Sequence, residues 1–129
     1  MLDHIGISVS DYEKAKIFYA KALQPLGYTL GYEVTPEMTG GAGAYAGFAE
    51  NDKSDFWLDS DKKPSPKLHV AFTAKDRKTV DAFYAAAIAA GGRDNGKPGL
   101  RPEYHPNYYG AFVLDPDGHN IEAVCHLPG

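Results

Sequence analysis

The 129-residue chain has few of the features that mark secreted, membrane or nucleic-acid-binding proteins. It has a single cysteine, Cys125, so no disulfide can form within the chain. No apolar run approaches the roughly 20 residues that span a bilayer, and the first residues lack the basic and apolar segments of a signal peptide. These absences predict a cytoplasmic protein that has no membrane partner.

Positive charge is also scarce. Thirteen Lys and Arg residues stand against seventeen Asp and Glu, which gives a formal net charge of −4, and no basic run occurs. Since nucleic-acid binding depends on clustered cations, this balance argues against a nucleic-acid partner. Hydrophobic residues make up 43% of the chain, which is enough to bury one core. A chain of 129 residues is too short for two independent domains of typical size.

An internal repeat organises the sequence. A shift of 65 residues superimposes identical residues at several positions, including His4 on His69, Phe18-Tyr19 on Phe83-Tyr84 and Gly27 on Gly92. Two unrelated strand and helix units that share an aromatic pair would be an alternative explanation. The number of matching positions favours two copies of one module.

Each copy begins with a strand and continues as a helix. Ile5, Ile7 and Val9 alternate with polar residues, and an apolar stripe with helical spacing follows. Ser10 and Glu13 predict a capping box for the first helix, and Asp76 is the expected cap of the second.

Three further strands follow each helix. They are expected over residues 28–34, 44–48 and 56–58 in the first copy, and near Arg93, over 110–114 and over 120–125 in the second. Asp115-Pro116-Asp117-Gly118 predicts a tight turn that makes the last two strands a hairpin. We predict an α+β fold of two βαβββ modules, residues 1–59 and 67–129, with a proline-containing linker at 60–66.

Three residues form the candidate metal site. If the helices cover the Ile5 and Val70 faces, His4 and His69 point to the opposite, concave faces of their sheets. Glu122 lies on the last strand and needs a partner if it faces inward. Two imidazoles and one carboxylate hold a divalent transition metal and leave positions open for substrate. The alternative is that each histidine is a hydrogen-bonded structural residue.

Trp57 stands where the repeat places a fourth residue of this set, because 122 − 65 = 57. Tryptophan does not ligate metals. It is expected either to stack on a planar substrate or to fill the space of an absent ligand.

The opening residues 2–9, the Phe18-Tyr19 helix, residues 67–72 and the closing segment from Leu114 to Val124 resemble the glyoxalase/bleomycin-resistance/extradiol-dioxygenase superfamily, the vicinal oxygen chelate proteins. The resemblance implies two βαβββ modules that form open curved sheets around a cleft, often shared across a homodimer. It also implies that His4, His69 and Glu122 are the metal ligands, with Fe, Mn, Ni or Zn as the metal and no nucleotide cofactor.

The resemblance leaves two classes of function open. One is a divalent-metal-dependent lyase, isomerase or dioxygenase-like enzyme that acts on a small oxygenated substrate. The other is a metal-free protein of the bleomycin-resistance type, which binds a small aromatic drug. Glyoxalase I activity itself is not expected, because Trp57 replaces a Glu ligand that serves there as the catalytic base.

The segment from Leu100 to Tyr109 is the candidate roof of the cleft. Arg101 is a candidate anion clamp, Tyr108 or His105 a candidate substrate hydrogen-bonding group, and Glu122, Tyr108 and His105 are the candidate catalytic residues. Alternatively, the segment is a proline-braced loop whose tyrosines pack on the sheet edge. His119 and His126 are expected at the surface.

Overall fold

The computed structural model describes residues 2–41, 43–60 and 67–129, with the Thr39 side chain left aside, so most of the predicted 60–66 linker lies outside the described residues. The elements are β1 (Ile5–Ser8), α1 (Tyr12–Ala22), β2 (Thr29–Val34), β3 (Tyr45–Ala49), β4 (Phe56–Asp59), β5 (His69–Thr73), α2 (Arg77–Ala89), β6 (Arg93–Leu100), β7 (Tyr109–Leu114) and β8 (Asn120–Cys125). Short 3₁₀ turns occupy Gln24–Leu26 and Pro36–Thr39.

Two four-stranded sheets have the same topology. Sheet 1 has the order β1-β4-β3-β2 and sheet 2 the order β5-β8-β7-β6. In each, the first strand pairs in parallel with the last, and the other neighbours are antiparallel. The prediction of an α+β fold built from two βαβββ modules is confirmed.

The helices cover the faces that the alternation predicted. Ile7 and Val9 are 0% and 1% exposed, and α1 and α2 bury equivalent stripes: Ala15, Phe18, Tyr19 and Ala22, and Val80, Phe83 and Ala87. Burying a side chain as large as phenylalanine stabilises the fold by about 1.5–3 kcal/mol. No helix in the described part of the chain is both long and apolar enough to cross a membrane.

The cap of α1 differs from the prediction. Asp11 is the N-cap and accepts a hydrogen bond from the Lys14 amide at 3.1 Å. Ser10 instead binds Asp117 in the other module, and its hydroxyl donates at 2.6 Å. The capping-box prediction was wrong because a long-range carboxylate competes for Ser10. Asp76 caps α2 as predicted, accepting from the Thr79 amide at 2.7 Å.

The turn between β7 and β8 joins the modules. Gly118 N–H donates to the Asp115 carbonyl at 2.9 Å, which confirms the predicted turn. The buried Asp115 carboxylate also accepts from the Tyr19 hydroxyl of the first module at 2.5 Å. His119 is 1% exposed, so the prediction of a surface position was wrong. Its ring lies between the Ser8 carbonyl and the Leu68 amide.

β6 is longer than the short run expected near Arg93. It is the outer strand of sheet 2, and its pairing with β7 shifts register between Asp94 and Gly96 and again between Gly96 and Gly99. An outer strand tolerates the proline and glycines that would break a central one. Composition alone therefore hid its length.

Candidate functional site

Glu122 is the centre of the candidate site. It lies in β8 with Ala71 of β5 on one side and Phe112 of β7 on the other. The residue is 1% exposed. A buried carboxylate needs hydrogen-bond donors or a cation, and the structure supplies a donor to each oxygen.

The first donor is His69, the opening residue of β5. Its Nε2 lies 2.9 Å from Glu122 Oε1. Because an ionised carboxylate only accepts, Nε2 carries the hydrogen in this pair. The His69 side chain is 53% exposed, so the pair has a buried carboxylate end and a solvent-accessible imidazole end.

The second donor is Tyr108, whose hydroxyl donates to Glu122 Oε2. Burial, followed by the hydrogen bond to Glu122, raises the pKa of this phenol well above its usual range. Tyr108 therefore stays protonated and fixes the orientation of the carboxylate. Of the predicted site residues, the structure thus brings His69, Glu122 and Tyr108 together.

Arg101 lies near the same face of sheet 2. Its guanidinium sits over the Phe112 ring at 5.4 Å, and Phe112 in turn packs against His69 with ring centroids 6.1 Å apart. The Nη atoms donate to the carbonyls of Gly99 and Lys97, both at 2.8 Å. The guanidinium is held in place, with part of its donor capacity already used.

His105 takes another position. Its Nδ1 accepts from the Asn107 amide at 3.1 Å, and its ring packs on His126 at 5.6 Å. These contacts form part of the loop packing, which was the alternative interpretation of this segment. Tyr108 is thus the loop residue that contacts Glu122.

His4 is separate from this cluster. Its side chain is 60% exposed, and Nδ1 lies 2.8 Å from Asp3 Oδ2. Within the described part of the chain, no three His, Cys, Asp or Glu side chains are grouped closely enough to hold a metal ion. One chain therefore presents His69 and Glu122 together but not the complete predicted set.

Trp57 occupies in sheet 1 the place that Glu122 occupies in sheet 2. It pairs with Gly6 of β1 and Gly47 of β3, and both are equivalent, at 65 residues, to the neighbours of Glu122. The indole lies over Gly47, where an added Cβ would come 2.8 Å from Cη2. The indole packs edge-on against the Tyr32 ring, with ring centroids 6.1 Å apart. Its Nε1 donates to the Ser54 carbonyl at 3.3 Å.

The chemistry of the donor pair fits a divalent metal. Imidazole nitrogen and carboxylate oxygen bind such ions at about 2.0–2.2 Å, so adjacent ligands lie about 2.9–3.4 Å apart. His69 Nε2 and Glu122 Oε1, 2.9 Å apart, share a hydrogen bond, so a metal ion held by both atoms would replace the hydrogen on Nε2. Tyr108 on the second carboxylate oxygen is placed to hold the ligand in position.

The fold and this site define a two-module protein with a carboxylate and imidazole pair on the second sheet. The family model of the Glyoxalase/Bleomycin resistance protein/Dioxygenase superfamily matches residues 1–123, and the chain belongs to this superfamily.

Individual relatives agree with this assignment. The chain is 27% identical over 121 residues to the metallothiol transferase FosB of Shouchella clausii strain KSM-K16, covering 94% of this chain and 77% of that protein. A glyoxalase/bleomycin resistance protein from Albidiferax ferrireducens T118 superimposes with a TM-score of 0.81 at 27% identity, over 97% and 98% of the two chains. A V278E mutant of glyoxalase I from Zea mays gives 0.70 at 27% identity, over 95% of this chain and 45% of that one.

Sequence reasoning missed the partner of Glu122 and the location of His119. Tyr108 was expected to face substrate, yet it holds the carboxylate. His119 follows a recognisable turn, but nothing local shows that the turn inserts between the modules. Its one sequence signal is Asp115, four residues earlier in the same turn. The Asp115 carboxylate accepts from Tyr19, 96 positions earlier in the chain.

Proposed function

We propose that this protein is a divalent-metal-dependent enzyme that acts on a small oxygenated substrate. The observation that carries the proposal is the pair of His69 Nε2 and Glu122 Oε1, 2.9 Å apart with the carboxylate buried. A metal held there would act as a Lewis acid on a substrate oxygen. Iron, manganese, nickel and zinc all suit this ligand set.

We further propose that His4 completes the site from a second copy of the chain. The support is that His4 is exposed and lies apart from the other two ligands in its own chain. A homodimer related by a two-fold axis would contain two such sites, each with His4 from one chain and His69 and Glu122 from the other.

The remaining residues of the site orient the metal ligand Glu122 and contact the substrate. Tyr108 keeps its proton and holds Glu122 Oε2, which leaves Oε1 directed toward His69. Arg101, fixed over Phe112, presents positive charge for an anionic group of the substrate. Trp57 and Tyr32 supply an aromatic surface on sheet 1 for its apolar part.

The ligand set is compatible with several classes of reaction. Lyase, isomerase and dioxygenase chemistry are all open to a metal with free coordination positions. The name of the Shouchella clausii relative, a metallothiol transferase, adds thiol transfer to the reactions to be tested. Isomerisation of a glutathione hemithioacetal is not proposed, because Trp57 stands in place of the Glu base.

A second candidate function is metal-free binding of a small aromatic molecule. The observation that favours it is that both Glu122 oxygens already accept hydrogen bonds, from His69 and Tyr108, so the buried carboxylate is satisfied within the chain. Trp57 would then stack on the aromatic ring of the bound molecule.

Calorimetric titration of untagged protein with Fe²⁺, Mn²⁺, Ni²⁺ and Zn²⁺ separates the two functions. The enzyme proposal predicts stoichiometric binding of at least one metal, lost in Glu122→Gln and retained in the surface control Glu103→Gln. Absence of binding by the folded protein, or equal binding by Glu122→Gln, would contradict the metal proposal and favour the metal-free one.

A further inference from the structure

The internal repeat gives the site of His119 an equivalent site in the other half of the molecule. His119 bridges the Ser8 carbonyl at the end of β1 and the Leu68 amide before β5. The 65-residue repeat gives the equivalent residues as Ser54, Thr73 and Asp3. His119 fills the space between Leu68 and Ser8 with its ring. Ser54 has no ring, so no imidazole fills the equivalent space between Asp3 and Thr73.

A cavity of about 700 Å³ lies at this equivalent place, and Asp3 and Thr73 are among its lining residues. Small-molecule sites are typically clefts of roughly 300–1,000 Å³. The cavity is therefore large enough for a ligand of several ring atoms.

One wall of the cavity is aromatic. Phe72 of β5 packs against Tyr28 and Phe56 of the first module, with ring centroids 5.3 and 5.2 Å apart. All three residues line the cavity. Aromatic rings of this kind attract flat groups and organic cations.

The cavity is also lined by a carboxylate, Asp55, that can accept a further hydrogen bond. Asp55 Oδ2 accepts from the Tyr28 hydroxyl at 3.2 Å, while Oδ1 is buried and accepts no hydrogen bond from the described residues. Glu50 lines the same cavity. Burial, followed by the charge of Asp55, raises the pKa of Tyr28 to about 12, and the charge of Glu50 acts in the same direction.

One lysine and two histidines also line the cavity. Lys75, His4 and His69 are among its lining residues, and the side chains of both histidines are more than half exposed. Lys75 is exposed as well. Among the side-chain N and O atoms of this described lining, Asp55 Oδ1 is the one that is buried without a hydrogen-bond partner, and a buried acceptor of this kind requires a donor.

We propose that this cavity binds a small planar organic cation with N–H donors, of the amidine or imidazole class. The cation donates to Asp55 Oδ1, and its ring lies against Phe72 and Tyr28, as His119 fills the equivalent position. Glu122 and Tyr108 are outside the described residues that line the cavity, whereas His4 and His69 are among them. The cation site at Asp55 is therefore separate from Glu122 but shares this cavity with two of the residues proposed to hold the metal.

Benzamidinium is a suitable probe because benzamide and benzoate have nearly the same shape with neutral and negative charge. Calorimetry, with and without added Zn²⁺, measures the affinities, and amide NMR shifts locate the binding site. We expect benzamidinium to bind at least about tenfold more tightly than either analogue, with shifts at Gly27, Asp55 and Thr73 in both conditions.

Asp55→Asn keeps the side-chain shape and should weaken benzamidinium at least about tenfold, while Glu103→Gln removes an equal surface charge and should change nothing. Phe72→Leu, a second variant that keeps the carboxylate, should also weaken binding. Equal affinity for the three probes, no binding, unchanged affinity in a folded Asp55→Asn protein, or shifts confined to the Glu122 region would each overturn the proposal.

Discussion

His119 Nε2 donates a hydrogen bond to the Ser8 carbonyl at 2.8 Å. The other ring nitrogen, Nδ1, accepts from the Leu68 amide at 2.9 Å. These two roles define a neutral imidazole with its hydrogen on Nε2. One buried ring thus connects the end of β1 to the start of β5.

His119→Phe should destabilise the protein by about 2–4 kcal/mol, because the ring volume remains while two buried backbone groups lose their partner. Urea unfolding followed by circular dichroism measures the free energy of unfolding. His4→Asn, a change at an exposed histidine, should shift it by less than about 0.5 kcal/mol. Equal stabilities for the two variants would show that His119 does not join the modules.

Tyr108→Phe tests whether this residue positions Glu122. The variant loses the hydroxyl that holds Oε2, so metal affinity should fall by about 10- to 100-fold, as is usual when the partner of a metal ligand is removed. The neighbouring Tyr104, 64% exposed, provides the control Tyr104→Phe, which should bind metal normally. Equal affinities in both variants, each correctly folded, would assign Tyr108 to loop packing.

Glu33 predicts a pH dependence of stability. Hydrogen bonds from Lys16 and then Tyr12 lower its pKa in the folded protein. Since the folded pKa lies below the unfolded one, its stabilising contribution is present above the ordinary carboxyl pKa of about 4.3 and is lost as the pH falls through the folded value.

The stability difference between the natural protein and Glu33→Gln should therefore be largest near neutral pH and shrink in acid. Unfolding free energies measured at several pH values provide the check, with Glu103→Gln as the variant of equal charge. A difference that stays constant down to the lowest pH at which the protein folds would rule out the ionised contact.

Trp57→Glu tests the equivalence between Trp57 and Glu122. The variant adds a carboxylate at the repeat-matched position, so metal should be retained more tightly than in the natural protein. Trp57→Phe, which supplies no ligand, should not tighten it. If competition with a chelator gives the same affinity for Trp57→Glu as for the natural protein, position 57 lies outside the metal site. The natural protein should also lack hemithioacetal isomerase activity.

The repeat made most of the fold predictable. Because strands alternate and helices repeat every 3.6 residues, the core faces of β1 and α1 follow from Ile7, Val9 and Phe18 alone. The register between Trp57 and Glu122 also followed, since equivalent residues of equivalent modules share their neighbours.

The contacts that join distant segments were not predictable. Ser10 has a local partner in Glu13 by pattern, yet Asp117 binds it from 107 residues away. Likewise, the exposure of His119 depends on how the modules pack, and local periodicity contains no information on that packing. The separation of His4 from His69 and Glu122 is of the same kind.

Co-expression of His4→Ala and His69→Ala chains tests the shared metal site most directly. In a mixed dimer, one site carries both substitutions and the other carries neither. Each variant alone should bind almost no metal, while the co-expressed mixture should recover about one quarter of the natural stoichiometry, because about half of randomly formed dimers are mixed. No recovery in a mixture shown to contain mixed dimers, or full metal binding by His4→Ala alone, would contradict a site completed by His4 from a second chain.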